Sequence, residues 1–504
     1  MKKKAVILFF PLFESENISS NFPWALLYLE RMIRHLNVDV IIIDERLQKD
    51  YEDIIKQNSD RILLAGISAM VGFQVVGGIN FFKKLKKYSD APVIWGGWFP
   101  THFAEMILTD GYADFVCIGQ GEVPFQVLTE RLLEGKNPDD IPGIGFLNKG
   151  KIHVNQNEEL KNPEAFPRTD LSLIDINRLI DLNGVVEVGS RGADYLATTG
   201  CPNKCTFCSL AVVYGRKWYT KKISEIIEDI KFFIDKASIS HITFCDDNFF
   251  VSKKFVLEFC DELRRSGISI SWEANSNVSY ILKSYADEDL QAIYSAGCRR
   301  IKIGAESGDQ QVLDTINKNI KVNDSFEVIR KLKRNNIKTR IFTMLCFPMN
   351  PDRDFWLTLN FIGRAKLIDH DLDSNINFYK PYPKTEMYAL CAEKGFSYPG
   401  TTNELLEILS REFTAPWYKS DYYHHLDDFL NFYYLFASPR FYLNFPIRIR
   451  PVAFILNMIM FPIITLRFKL NLMRFPIEAR LFKRIIRWRK DFRYIETVSN
   501  FKTR

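Results

Sequence analysis

Cysteine is scarce, nine in 504 residues. That density excludes a disulfide scaffold, and an odd count fits a reducing cytoplasm. Glycine (25) and proline (21) are unremarkable, and neither repeats nor low-complexity tracts occur, which excludes a collagen and a disordered chain. No uncharged run reaches the roughly 20 residues needed to cross a bilayer, so a multi-span membrane protein is excluded too. The opening Lys2-Lys3-Lys4 and Ala5–Phe13 imitate an export signal, but Pro11 interrupts the run and Glu14 follows it. With no small-x-small cleavage pattern, a buried first strand is expected there. Acid is nearly absent from one stretch: between Arg440 and Lys490, Glu478 faces 12 Lys or Arg. This stretch carries +11 of a net +6, leaving −5 for the rest, which argues against a chain-wide nucleic-acid surface and for a local anionic contact.

What is present is an average globular composition, 47% hydrophobic and 25% charged, with 14% aromatics including 41 Phe. The length suggests about three domains. Apolar runs at Ala5–Phe10, Val38–Ile43, Ile62–Ile67, Val93–Trp95 and Phe115–Ile118 alternate with helical patterns such as Trp24–His35 and Gln74–Leu85. This predicts an α/β, doubly wound parallel sheet. Its Gly-rich loops, Gly66-Ile67-Ser68, Gly96-Gly97-Trp98 and Gly119-Gln120-Gly121-Glu122, follow strand ends, where such sheets bind ligands. None is a properly placed G-x-G-x-x-G, so a dinucleotide site is disfavoured.

From Val186 a second alternation predicts strands at Tyr195–Thr198, His241–Phe244, Ile268–Trp272, Arg300–Gly304, Lys338–Leu345 and Ile376–Tyr379, a partial (βα)6 barrel. The expected domains are 1–145, a connector 146–189, the barrel 190–400, and an α-helical C-terminal region 401–504 of aromatic, basic helices broken by prolines.

Cys201, Cys205 and Cys208 stand at C-x3-C-x2-C spacing in a loop after a strand. Three thiolates without an obvious fourth leave a metal or cluster one open position, as a catalytic centre needs. The alternative is zinc completed by His241 or Cys245. The other six cysteines lack ligand spacing and read as buried fillers.

With these motifs the chain resembles the radical S-adenosylmethionine superfamily. The resemblance implies a 4Fe-4S cluster on Cys201, Cys205 and Cys208, with Phe207 as the aromatic before the last cysteine. It also implies S-adenosylmethionine on the open iron. Asp246 and Asp247, in Phe244-Cys245-Asp246-Asp247-Asn248-Phe249, become acceptors for the methionine ammonium. Glu306 and Ser307, in Gly304-Ala305-Glu306-Ser307-Gly308, become ribose or methionine contacts, and Asn275 joins the cofactor-binding set. There are two departures: Asn277 stands where an arginine is frequent, and Lys384 replaces glycine in Pro381-Tyr382-Pro383-Lys384-Thr385. Lys384 is either solvated or meets an acidic substrate.

Residues 1–145 resemble the cobalamin-binding domain of one branch of this superfamily, through Gly96-Gly97-x-x-Pro100-Thr101 and Gly119-Gln120-Gly121-Glu122. That implies corrin contacts from Ser68, Ala69, Met70, Gly96, Gly97, Trp98, Gly119, Gly121 and Glu122. No histidine sits in D-x-H-x-x-G, so no lower cobalt ligand comes from that motif, and Phe99 stands where relatives often have histidine. The resemblance implies a B12-dependent methyltransferase: one S-adenosylmethionine methylates cobalamin, a second yields a 5′-deoxyadenosyl radical, and an unactivated carbon or phosphorus centre accepts the methyl. Ring formation or oxidation with the same cofactors is the alternative; a zinc-stabilised, non-catalytic binding protein is the alternative from another class. The expected partners are a small, lipophilic substrate and a one-electron reductant such as flavodoxin or ferredoxin, with no nucleic acid. Pro451 to Leu466 is uncharged apart from its basic and aromatic flanks. It reads either as an interfacial element peripheral to the inner face of the membrane or as an apolar hairpin packed on the barrel.

Overall fold

The computed structural model describes residues 3–12, 22–182, 191–409, 413–444 and 447–488. Expectations resting on Phe13, Glu14, Val186 and Lys490, and the domain border at 189, lie outside the described residues.

The first sheet contains β1 (Lys4–Phe10), β2 (Val38–Asp44), β3 (Ile62–Ser68), β4 (Val93–Gly96), β5 (Phe115–Cys117), β6 (Ile144–Asn148) and β7 (Lys151–Val154). Their order is β2-β1-β3-β4-β5-β6-β7. The first five are parallel, and β6 and β7 close the edge antiparallel. β1 is apolar on both faces because both are covered. Ile7 and Phe9 pack with Val75, Ile79, Phe81 and Phe103 on one side, and Val6 and Leu8 with Leu26, Phe125 and Leu128 on the other. The chain leaves β1 for β2 on one side and returns to β3 on the other, so the carboxyl ends of β1 and β3 flank the topological switch point. The sheet runs past residue 145, since Ile144 and Phe146 are buried in its second core.

Further along come β8 (Gly192–Tyr195), β9 (Thr198–Gly200), β10 (Trp218–Thr220), β11 (His241–Phe244), β12 (Ser271–Asn277), β13 (Cys298–Glu306), β14 (Lys338–Leu345) and β15 (Asp373–Phe378). Six of them form a sheet in the order β15-β14-β13-β12-β11-β8, parallel throughout. An open, six-stranded parallel sheet with helices outside is a partial barrel, as the alternation predicts.

Three boundaries differ from expectation. The run expected at Ile268–Trp272 forms a strand only from Ser271, and β12 continues to Asn277. Its second half is polar because Glu273 meets Arg300 (3.2 Å) and Lys302 (3.0 Å) of β13 in the buried interior. A hydrophobic-run criterion stops where that charged interior begins. The run expected at Tyr195–Thr198 splits into the end of β8 and a separate hairpin strand, β9. Pro462 does not break a helix: Arg450–Leu470 is one continuous helix through it.

The C-terminal region serves both preceding units. Leu405 of the Thr402–Leu409 helix is buried in the first core, and Thr402 N–H donates to Asp110 (2.6 Å). Phe429, Phe432 and Phe468 are buried in the barrel core.

Candidate active site

The parallel sheet directs all its carboxyl ends to one rim, and the cysteine loop lies there. β9 pairs antiparallel with β10, so Gly200 faces Trp218 directly before Cys201. Gly200 has φ +83°, and a Cβ would stand 2.2 Å from the Lys217 carbonyl oxygen. Gly200→Ala is therefore expected to cost about 2 kcal/mol or more, from the left-handed backbone plus overlap. A thermal melt and the iron content after reconstitution, both falling, check this.

Neighbouring loops hold the cysteine loop through its backbone. Thr206 N–H donates to Ile316 O (3.0 Å) and Asn317 Nδ2 to Lys204 O (2.9 Å). Tyr280 Oη donates to Asn203 Oδ1 (3.3 Å), and Asn248 Nδ2 lies 3.6 Å from Cys201 Sγ. Burial raises the Cys205 thiol and pushes Cys208 up to about 12, with smaller contributions from the neighbouring cysteines. Such thiols are protonated at neutral pH until a cationic centre binds; the field of a metal cluster would favour the thiolates. Phe207 packs edge-on against Phe347 (6.0 Å).

Neither His241 nor Cys245 completes a zinc site on the cysteine loop. His241 lies at the amino end of β11 and bonds Ser271 Oγ (2.8 Å), while Cys245 Sγ donates to its own strand at Thr243 O (3.7 Å). Among the described residues, no three His, Cys, Asp or Glu side chains gather where a single ion would bind.

Beside the loop lies a set of unpartnered acceptors. Asp246 is fully buried; one carboxylate oxygen accepts the Thr198 N–H, and the other has no partner among the described residues. Asn275 Nδ2 donates to Asp246 O (2.8 Å), leaving its buried Oδ1 without a partner, as is Asn248 Oδ1. Burial pushes Asp246 up to about 7 and Asp247, water-accessible in the rim but ringed by protein, up to about 6. Buried acceptors cost free energy when unsatisfied, so three of them on neighbouring loops fit a bound donor, in chemistry an ammonium.

Glu306 and Ser307 are already engaged. Glu306, at φ +61°, accepts from Lys318 Nζ at 2.5 Å, both residues being buried. Ser307 Oγ donates to Asp354 (2.5 Å) and accepts from Asp309 N–H (2.9 Å), which ties β13 to the helix Pro351–Ile368. Asn277 caps the next helix through Ser279 N–H (2.9 Å). Sequence reading missed Lys318, which no motif marks, and Asn248, which stood in the quoted acidic run.

The first sheet adds a second surface. Gly97, at φ +96°, brings β4 against β3: a Cβ there would stand 2.9 Å from Ala69 O, and Phe99 N–H donates to that oxygen (3.0 Å). Ala69 and Phe99 are buried, Phe99 within the core, while Ser68 is half-buried. Met70, Phe73 and Val76 are exposed together (39%, 46% and 38%) at the switch point. An apolar patch there fits the face of a corrin. Val76 lay inside the expected helix Gln74–Leu85 and Phe73 directly before it, and neither carried a signal of its own. Trp98 stacks on His102 (6.4 Å). Gly96 and Gly121 lie near Cys117, and Gly119 lies against Asn157 and the Val213 carbonyl. Glu122 is committed to a buried ion pair with Arg31 (3.2 Å). Burial raises its carboxyl, and Arg31 opposes this.

The two units meet at the rim. His102 Nδ1 bonds Pro383 O (2.8 Å), and Lys384 Nζ donates to Thr101 O (2.7 Å). Lys384 has φ +67°, the conformation a glycine would adopt without strain. Its side chain is exposed as well as bonded to Thr101 O, so solvent reaches it. A cavity of about 390 Å³ is lined by Cys205, Cys208, Val212, Arg216, Lys384 and Glu386, among others.

The Radical SAM superfamily model matches residues 195–362, and the B12 binding domain model matches residues 20–129. The chain belongs to the cobalamin-binding radical S-adenosylmethionine enzymes. It is 26% identical over 404 residues to an uncharacterized methyltransferase of Pyrococcus horikoshii, covering 78% of this chain and 82% of that one. An anaerobic magnesium-protoporphyrin IX monomethyl ester cyclase of Synechocystis is 25% identical, with 60% of this chain and 58% of the cyclase covered. Among solved structures, TsrM of Kitasatospora setae, a radical S-adenosylmethionine methyltransferase with cobalamin and a [4Fe-4S] cluster bound, superposes with TM-score 0.65 at 15% identity, covering 78% of each chain. OxsB, with aqua-cobalamin and S-adenosylmethionine bound, gives 0.71 at 14%, covering 99% of this chain and 75% of that one. These two likenesses show the shared fold. The enzyme's cofactors are a 4Fe-4S cluster, S-adenosylmethionine and cobalamin, and the thiols, the open acceptors and the apolar switch-point patch fit them.

Proposed function

We propose that the enzyme is a cytoplasmic methyltransferase acting on an unactivated carbon or phosphorus centre of a small molecule. The observation that carries this reading is the meeting of the thiol loop and its open acceptors with the cobalamin unit across one rim, beside a cavity of about 390 Å³. The Pyrococcus relative, a methyltransferase by name and matched over most of both chains, supports it. With the cofactors bound, S-adenosylmethionine supplies both a methyl group and a hydrogen-abstracting radical.

In this reading Cys201, Cys205 and Cys208 hold the cluster. Asp246, Asp247 and Asn275 accept the methionine ammonium, and Glu306 and Ser307 shape the adenosine side. Ser68, Ala69, Met70, Gly96, Gly97, Trp98, Gly119, Gly121 and Glu122 surround the corrin, with Phe73 and Val76 added from the exposed patch. Arg216 is paired with Glu386 in the cavity wall, and Lys384 is the cation there that suits a substrate carrying an acidic group. A low-potential donor of the flavodoxin or ferredoxin kind supplies the electron.

Asp246 gives this reading a pH signature. Its carboxyl is raised to about 7 by burial, so in the free enzyme it is half neutral near pH 7. An ammonium pairs with the charged form. S-adenosylmethionine affinity is therefore expected to tighten as pH rises from 6 to 8, and Asp246→Asn to bind weakly with a flat profile over that range; anaerobic calorimetry at both pH values measures it. The stability contribution has the opposite sign: a folded value above the usual 3.8 favours the cofactor-free fold at low pH and is lost as pH rises through about 7.

The deciding experiment is anaerobic. Enzyme reconstituted with iron, sulfide and cobalamin is reduced, given S-adenosylmethionine and candidate substrates, and assayed by mass spectrometry for 5′-deoxyadenosine and S-adenosylhomocysteine. Both products support methyl transfer. Only 5′-deoxyadenosine, formed with a substrate that loses hydrogen or gains a ring, favours the cyclase reading that the Synechocystis relative suggests.

A further inference from the structure

The Arg450–Leu470 helix uses a single narrow stripe for packing. Ala453, Asn457, Ile464 and Phe468 are buried. Phe468 sits on Gly363 of the Pro351–Ile368 helix, where a Cβ would come within 2.1 Å of its ring, so the two helices touch backbone to side chain. Asn457 Nδ2 donates to Pro439 O (2.9 Å). The side away from this packing is apolar and open: Val452 is 63% exposed, Met458 60% and Leu466 56%. Fourteen of the 21 large apolar side chains exposed among the described residues lie between Leu443 and Leu481. A patch this concentrated marks an interaction surface.

Charge identifies what covers it. Exposed Arg448 precedes the apolar stretch, and exposed Lys469 and Arg480 follow it. Glu478, the acid of this stretch, is already paired with Arg467 (2.7 Å). An apolar face bordered by exposed cations complements acyl chains beneath anionic headgroups. The helix is about 32 Å long, enough to cross a bilayer. Yet its buried stripe binds it along the barrel, and its uncharged core of 16 residues, Pro451 to Leu466, is short for a span.

We propose that this face docks the enzyme in the plane of an anionic lipid bilayer. The geometry sets the orientation. Phe461 lies against His370 (5.9 Å), beyond the carboxyl end of the Pro351–Ile368 helix, whereas Arg474 pairs with Asp352 (3.0 Å) near its start. That start is tied to the cofactor rim through Asp354, which bonds Ser307 and Phe347 N–H. The apolar face therefore runs along the flank of the barrel, with residues 452–459 toward the end opposite the cofactor rim and Phe475 toward the rim, and docking lays the helix axis in the bilayer plane.

The test is cosedimentation of the full-length protein with vesicles of phosphatidylcholine alone or with about 30% phosphatidylglycerol, at low and high salt. Expected is binding about tenfold stronger to the anionic vesicles, weakened by salt. Met458→Asp with Ile459→Asp, both on the open face, should lose binding about tenfold with an unchanged melting temperature. Arg448→Gln with Lys469→Gln should lose chiefly the anionic preference. No vesicle binding, with a dimer that the Asp pair dissolves, would overturn the proposal in favour of a second copy on this face. Retention in native membranes through a carbonate wash would overturn it in favour of a spanning helix.

Discussion

Cys205→Ala is expected to reduce 5′-deoxyadenosine formation to that of a protein-free control, and iron after reconstitution from about four per chain to a small residue. Cys205 is a buried thiol at the turn of the loop, and its two partners cannot fix an iron cube that needs three protein sulfurs. The apo fold should survive. The loop is held by Thr206, Asn317, Tyr280 and Met387 through bonds that do not involve the thiol, so the melting temperature of the metal-free variant should match that of the metal-free parent. The pairing of lost iron with an unchanged apo fold separates a ligand from a packing cysteine. Retained cleavage in a dithionite-reduced preparation of the variant would remove the cluster from these residues.

Lys318→Met is expected to be the most destabilising single change near the site. Lys318 and Glu306 are both buried, 2.5 Å apart, and Glu306 already holds a left-handed backbone at φ +61°. Burial works against the ammonium's charge, but Glu306, and after it Cys205, outweigh this and hold Lys318 above its usual range. Deleting the ammonium leaves a buried carboxylate without its counter-ion, at a cost of about 3–5 kcal/mol. Lys318→Met with Glu306→Gln removes both charges and should recover most of that loss, because a neutral pair has far less to desolvate. Denaturant melts of the two single variants and the double variant give the coupling directly. A double variant no more stable than Lys318→Met would show that the pair is not a closed electrostatic unit.

Where the structure differs from the sequence reading or adds to it, the reasons are related. β12 was expected to end at Trp272, since Glu273, Asn275 and Asn277 look like a loop until β13 supplies Arg300 and Lys302 across the barrel. A charged strand interior cannot be seen in the strand alone. Glu122 and Ser307, singled out by motif, turn out to be largely engaged with Arg31 and Asp354, residues 91 and 47 positions away. Pro462 was expected to break a helix; a proline costs one N–H donor and a clash with the preceding turn, and packing of the stripe from Ala453 to Phe468 offsets it so that the helix runs on.

The sequence by itself determined the chemistry of the enzyme and the class of its fold. Cysteine spacing is local, and so are the alternating periods of buried strands and amphipathic helices; both are written in consecutive residues. Only the tertiary structure decided which acceptors stay open, which carboxylates are already paired, and which apolar side chains remain uncovered. Those properties depend on partners distant in sequence. Burial sets the free energy of an unsatisfied oxygen or an exposed methyl, and burial belongs to the fold as a whole.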